Sequence, residues 1–258
     1  MSEEELLELA ESAAKDAGKL LLEGLGKPRD ISEKSGRTDL VTQYDHAAQD
    51  LIAGRVQDNY PDHSILAEEE FSLDKDSTKW IIDPLDGTTN YIYNYPLFCV
   101  SIAVAKQGSL DAGVVHVPVI DETFKAKRNQ GAWLNDERID VSDTLDFSRS
   151  VLSTGFPYDE DKVPAAIETF SRLVREARGI RRDGAAAMDL SFVGAGRFDG
   201  FWELGLSPWD VAAGTLIIEE AGGVVTDFSG EDYDLYDSDG IVATNGEIHD
   251  ELLEKLVK

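Results

Sequence analysis

The chain has 258 residues, with 51 Asp or Glu against 24 Lys or Arg and a formal net charge of -27. Phosphate backbones demand a basic face, so unspecific nucleic-acid binding is excluded; the acids run from residue 3 to residue 254, as in a hydrated globule suited to a salt-rich cytoplasm. The longest apolar run, residues 98 to 105, is far short of a membrane span, and the acidic start MSEEELLELA is no signal peptide.

In chain order, Leu6, Leu9, Ala10, Ala13, Ala17, Leu20 and Leu21 fall at helical steps and predict an amphipathic helix over 3 to 25, ended by Gly24 and Gly26. A second helix is predicted over about 44 to 58, with Ala47, Leu51 and Val56 inward. Strands follow at about 64 to 68, 79 to 83, 97 to 106, 111 to 117 and 122 to 127, a mostly antiparallel sheet. From about 150 the pattern alternates. Strands at 150 to 154, 179 to 182, 199 to 203 and 223 to 226 are separated by helices at about 164 to 177, 186 to 195 and 208 to 221. Neither a linker nor a repeat is visible, so the chain reads as a single domain with two lobes, about 1 to 140 and 141 to 258.

Cys99 stands alone, which excludes an intramolecular disulfide and a cysteine zinc site and fits a reducing cytoplasm. His46, His63, His116 and His249 have no metal-ligand spacing and read as surface or packing residues. GAGRFDG at 194 to 200 has one residue too many for a nucleotide fingerprint, and EDYDLYDSDG has the wrong residues for a calcium loop. The first reads as a helix end, the second as a solvated acidic turn.

The stretch WIIDPLDGTTNY, 80 to 91, carries the chemistry. A buried strand runs into Asp83 and Asp86, and buried carboxylates need a cation or an exit to solvent. Pro84 holds Asp83 extended, Gly87 lets the chain turn, and the amides of Gly87, Thr88 and Thr89 form an anion-binding concavity. Carboxylates beside such amides suit a hard cation such as Mg2+ and a phosphate. ILAEEE ends a strand in Glu68, Glu69 and Glu70, and SPWDVAAG puts Asp210 at a helix start, with Ser207 as cap and Pro208 in the first turn. Taken singly, the glutamates also read as a solvated loop and Asp210 as a helix-dipole partner.

DPLDGTT at 83 to 89, WDVAAG at 209 to 214 and DLVTQYD at 39 to 45 resemble, in order and separation, the signature segments of the inositol monophosphatase family. The likeness runs from about residue 5 to 255. It implies an α+β fold, a layered αβαβα sandwich of the inositol monophosphatase/fructose-1,6-bisphosphatase type. It also implies two or three Mg2+ held by Glu68, Asp83, Asp86, Asp210 and the Leu85 carbonyl. Asp45 and Thr88 would orient and deprotonate a water, with Glu69 assisting, and Gly87, Thr88 and Thr89 would hold the phosphate. The substrate alcohol would meet Ala186 and Glu203; Ser207 stands where animal members carry a histidine.

Arg172, Arg175, Arg178, Arg181 and Arg182 form a basic cluster. It reads either as ion pairing on an acidic surface or dimer seam, or as a clamp, with Arg181 in the substrate site, for a second phosphate. ISEKSGRT, 31 to 38, resembles the family's closing loop and reads equally as a surface turn. The expected activity is Mg2+-dependent hydrolysis of a small phosphorylated sugar or polyol, inositol 1-phosphate or fructose 1,6-bisphosphate, by a cytoplasmic homodimer. The alternatives are a 3'-phosphoadenosine 5'-phosphate-type phosphatase and a non-catalytic binding relative.

Overall fold

The structure, a computed structural model, describes residues 3–27, 29–34, 36, 39–69, 71–73 and 77–257. Helix α1 (Glu3–Gly24) buries Leu6, Ala10, Ala13, Ala14, Ala17 and Leu21, the expected stripe, with Leu9 and Leu20 packed at its edge. The hairpin β1 (Ile31–Glu33) and β2 (Leu40–Thr42) leads into α2 (Gln43–Asn59). The inward face of α2 is Asp45, Ala48, Gln49, Ile52, Ala53 and Val56; Ala47 and Leu51 lie only part-buried, because two polar side chains take places on the buried face.

An eight-stranded sheet follows, built from β3 (Ser64–Ala67), β4 (Phe71–Leu73), β5 (Thr78–Asp86), β6 (Cys99–Lys106), β7 (Ser109–Val117), β8 (Glu122–Lys127), β9 (Gly131–Leu134) and β10 (Glu137–Ile139). Its order is β10-β9-β8-β7-β6-β5-β3-β4, antiparallel except for β3 beside β5. The short helix α3 (Thr88–Ile92) joins β5 to β6. Trp80 and Ile82 face α1 and α2, whereas Ile81 faces the opposite layer. Each such fully buried side chain stabilises the fold by about 2 to 3 kcal/mol.

The second sheet holds β11 (Val151–Thr154), β12 (Gly179–Arg181), β13 (Gly200–Leu204), β14 (Val224–Thr226) and β15 (Gly240–Thr244), in the order β12-β11-β13-β15-β14. Helices α5 (Ala186–Gly194) and α6 (Pro208–Glu220) lie between the two sheets, with Leu190, Val193, Val211 and Ile218 against the second sheet and Ala187, Met188, Ala212 and Leu216 against the first. Helices α4 (Val163–Leu173) and α7 (His249–Val257) cover its outer face through Leu173, Leu252 and Leu256. Layers of helix, sheet, helix, sheet and helix result, as the resemblance implied. No helix among the described residues is long and apolar enough to cross a membrane.

GAGRFDG is the end of α5 and the turn into β13. In EDYDLYDSDG, Asp234 Oδ1 accepts from its own chain at Tyr236 N (2.8 Å) and Asp237 N (3.1 Å), a self-satisfied acidic turn. His116 and His249 are buried packing residues bonded to threonine hydroxyls, and His63 stacks on Tyr60 and accepts from Trp80 Nε1.

Candidate active site

In a regular strand, residues three apart point to opposite faces, so β5 alone would send Asp83 and Asp86 to opposite layers. A bulge prevents this. Pro84 has no N–H for the ladder, and the register with β6 slips between Asp83↔Ser101 and Asp86↔Cys99. Leu85 consequently turns into the α1/α2 core, and both carboxylates face the α5/α6 layer. Asp83 is 1% and Asp86 9% exposed.

Three helix starts receive the carboxylates around this bulge. Asp86 Oδ2 accepts from Ala187 N (2.7 Å) at the first turn of α5, whose own N-cap, Ala185, has no side chain to give. Asp210 is the third residue of α6 and returns Oδ2 to Ser207 N (2.7 Å), closing a capping box. Asp45 occupies the same position in α2, its Oδ2 accepting from Thr42 N (2.9 Å) and Thr42 Oγ1 (2.6 Å). Each box fixes a carboxylate and leaves its other oxygen for another partner.

For Asp45 that partner is Thr88. Thr88 Oγ1 lies 3.0 Å from Asp45 Oδ1 and 3.1 Å from the Leu85 carbonyl, and its single proton serves one acceptor at a time. Gly87 makes the turn at φ +93°, a left-handed backbone that L side chains resist, and a Cβ there would stand 3.0 Å from the Leu97 carbonyl. Thr88 and Thr89 open α3, where N–H groups have no intrahelical acceptor.

Burial is the dominant cause of the raised carboxylate pKa values. It takes Glu68 to about 7 against the opposing pull of Lys34, and Asp86 to about 6 although the α5 amides and the Cys99 thiol favour its charge. Asp83 is held well above the ordinary range by burial and by Glu68, Asp86 and Asp210; Asp210 is held there by burial, Glu68 and Asp86. Burial also raises Asp45. These mutual effects bring Glu68, Asp83, Asp86 and Asp210 into one electrostatic unit.

Lys34 Nζ sits 2.7 Å from both Glu68 Oε1 and Glu69 Oε1. Burial opposes its charge, but the two glutamates hold its pKa above the usual lysine value. A cation therefore already stands against this acid set. All the donors are hard oxygens, which fit Mg2+ in kind. Among the described residues, however, no three acidic, histidine or cysteine side chains stand at finished metal-ligand spacing.

A cavity of about 740 Å3 opens beside them, lined by Glu68, Glu69, Asp86 and Asp210 and also by Arg182, Ala186, Asp189 and Glu203. Glu203, 8% exposed, is pushed by burial to about 8. It packs on Gly155, where a Cβ would lie 2.2 Å from its carboxylate. Ala186 lines the cavity, but its N–H is directed at Asp86. Asp83, Leu85, Gly87, Thr88 and Thr89 lie outside the wall, and Asp45 reaches the site through Thr88.

Of the two adjacent arginines, Arg182 and not the expected Arg181 lines the cavity. Arg181 is the last residue of β12, pairs with Ser153 and has Asp183 as its charged neighbour, whereas the next residue, Arg182, reaches the cavity, as alternation along an extended chain requires. Arg172 donates instead to the Leu256 carbonyl (3.4 Å) at the end of α7. Glu70, Ser35, Arg37 and Thr38 lie outside the described residues, and with them part of the expected closing loop. Lys34 and Asp189 were missed. A lone acid in the otherwise apolar AAAMDLSFV was the available signal for Asp189.

The sequence model of the inositol monophosphatase family matches residues 2–258. The chain belongs to that family. An inositol-1-monophosphatase of Synechocystis is 43% identical over 97% of this chain and 88% of its own length. Nus factor SuhB of Pasteurella multocida is 40% identical over 97% of this chain and 95% of its own. The crystal structure of extragenic suppressor protein suhB from Bartonella henselae superposes with a TM-score of 0.94 at 38% identity, covering 98% of each chain. Family membership supports a phosphatase and leaves the ester to the geometry of the alcohol side.

Proposed function

We infer that this protein is an Mg2+-dependent phosphatase of small phosphorylated sugars or polyols, acting on inositol 1-phosphate, fructose 1,6-bisphosphate or both. The observation that carries this is the bulge at Pro84, which turns two buried carboxylates toward Asp210 and Glu68 beside the Asp45–Thr88 pair. Glu68, Asp83, Asp86, Asp210 and the Leu85 carbonyl would hold two or three Mg2+. Bound there, Mg2+ supplies charge neutralisation and makes a water more acidic at neutral pH.

The chain's own groups handle the proton. With its hydrogen on Asp45 Oδ1, the Thr88 hydroxyl keeps lone pairs free to accept from a water, so a proton can pass from water through Thr88 to Asp45. Water oxygen then bonds to phosphorus, the bond from phosphorus to the ester oxygen breaks, the departing alkoxide takes a proton from solvent water to leave as the alcohol, and Asp45 returns its own proton to solvent. Burial, which favours the neutral form of Asp45, makes it a better proton acceptor than a surface aspartate. Glu69, at 3% side-chain exposure near Asp45, adds negative charge that works the same way. The amides of Gly87, Thr88 and Thr89 would steady phosphate oxygens, and Glu203 with the Ala186 backbone would receive the alcohol. For a bisphosphate, Arg182 is the guanidinium that lines the cavity among the described residues.

Phosphate release from inositol 1-phosphate, fructose 1,6-bisphosphate and 3'-phosphoadenosine 5'-phosphate, with Mg2+ at high KCl, tests the reading. Turnover undiminished in chelator refutes the metal, and absence of turnover on all three refutes the enzyme. The likeness to proteins named Nus factor SuhB supports a second reading, an accessory role in transcription. The charge of -27 disfavours direct contact with RNA, so such a role would run through protein partners. A homodimer in a salt-rich cytoplasm completes the proposal, and sedimentation in molar KCl tests the assembly.

A further inference from the structure

Asp189, in the first turn of α5, lines the cavity at 1% exposure, and its Oδ1 has no hydrogen-bond partner among the described residues. It is not the N-cap of its helix, which is Ala185 and has no side-chain cap bond, and Asp86 already accepts from the Ala187 amide at the α5 start (2.7 Å). The carboxyl is in hydrogen-bonding contact with Asp183, and Glu203 and Arg182 complete its charged surroundings in the same wall. A buried carboxyl oxygen left without a donor is costly, and ordinary folds avoid it.

The geometry points to Asp189 as a specificity-determining residue whose unpartnered Oδ1 accepts a hydrogen bond from a hydroxyl of the substrate alcohol. Burial, with Asp183, Asp86 and Glu203 close by, favours the protonated form, in which the carboxyl donates to Asp183. One oxygen of a neutral acid donates and the other accepts, so the orphan is an acceptor that awaits a donor, and polyol hydroxyls are donors. Asp189 and Glu203 then flank the alcohol together, which predicts a preference for esters carrying free ring hydroxyls over bare ones. This assignment rests on the phosphatase reading.

The test is the ratio of kcat/KM on inositol 1-phosphate to that on p-nitrophenyl phosphate, whose leaving group has no further hydroxyl, in the parent, Asp189→Asn and Asp189→Ala with Mg2+. Asparagine reproduces the neutral acid, its amide donating to Asp183 and its carbonyl accepting, so its ratio stays within threefold of the parent. Alanine removes the acceptor and lowers the ratio about tenfold, the scale of one neutral hydrogen bond. An unchanged ratio in Asp189→Ala, or an Asn ratio as low as the Ala ratio, overturns the assignment. If the alanine variant does not fold, asparagine decides alone, since any loss of ratio beyond threefold refutes a neutral acid. A parent active only on p-nitrophenyl phosphate refutes the subsite and leaves the phosphatase reading standing; a parent inert on both refutes the phosphatase and the subsite with it.

Discussion

Replacing Glu203 by glutamine should stabilise the metal-free protein increasingly as pH rises above 4.5. Burial lifts this acid from the ordinary 4.5 to about 8, against the opposing pull of Arg182. Between those two values the unfolded chain has lost a proton that the folded chain keeps, so stability falls as pH rises from 4.5 and levels off above 8. At about 1.4 kcal/mol per pH unit, the interval amounts to about 5 kcal/mol at pH 9 and about 3 kcal/mol at pH 7. Glutamine matches the protonated acid in shape, which the tight contact with Gly155 requires, and it cannot ionise. The difference in unfolding free energy between variant and parent should therefore be nearly constant below pH 4.5 and then grow by about 5 kcal/mol up to pH 9. For a chain of this size that is roughly 10 to 20 °C in Tm. Urea unfolding in EDTA from pH 4 to 9 measures it. Parallel curves for the two proteins would mean that Glu203 titrates alike in both states, and the assignment of a desolvated acid at this position would fail.

Three further outcomes follow from the same geometry. Mg2+ at one hundred times its dissociation constant should raise unfolding free energy by about 2.7 kcal/mol, read as a Tm increase that EDTA reverses; an unmoved Tm argues against a cation in the Glu68, Asp83, Asp86 and Asp210 set. Asp45→Asn should lower kcat about a hundredfold or more with KM little changed, because Asn accepts no proton from Thr88; a change confined to KM would reassign Asp45 to binding. Gly87→Ala, forced to φ +93° with its Cβ 3.0 Å from the Leu97 carbonyl, should lose about 1 to 3 kcal/mol in urea unfolding and displace Thr88, cutting turnover as well.

The fold was legible where periodicity had room to show itself. The α1 stripe, the long strands and the α6 start at Ser207 and Pro208 stand close to where the residues put them. Strands β1, β2, β4, β9 and β10 have three or four residues each, too few to show alternation, and the tertiary ladder supplies what local propensity does not. The omission of α7 has no such excuse. Ile248, Leu252 and Leu256 recur every four residues and all three are buried in one cluster. At the site, the acids named by the signature segments stand near one another, whereas the cavity takes Arg182 and not the expected Arg181, because that choice turns on which way one short strand faces and neither residue is marked by composition.

A second limit of sequence reading lies in weighing a structural explanation of each acid against a chemical one. Asp45 and Asp210 are helix-start acids in capping boxes, and Asp86 serves the amides of a third helix. Those bonds satisfy one oxygen of each carboxylate in a buried place where two free oxygens would be far more costly. Helix dipoles thus offset part of the repulsion that four neighbouring acids would otherwise put into the metal-free fold. The caps also fix where the remaining oxygens point, before any cation arrives. At Asp86 and Asp210, where metal ligation is proposed, one substitution therefore removes both the partner of a helix amide and the proposed ligand. A variant that spares the carboxylate can separate stability from catalysis: Ser207→Pro deletes the amide that Asp210 Oδ2 accepts from, together with the Ser207 hydroxyl of the same capping box, and keeps Asp210 itself.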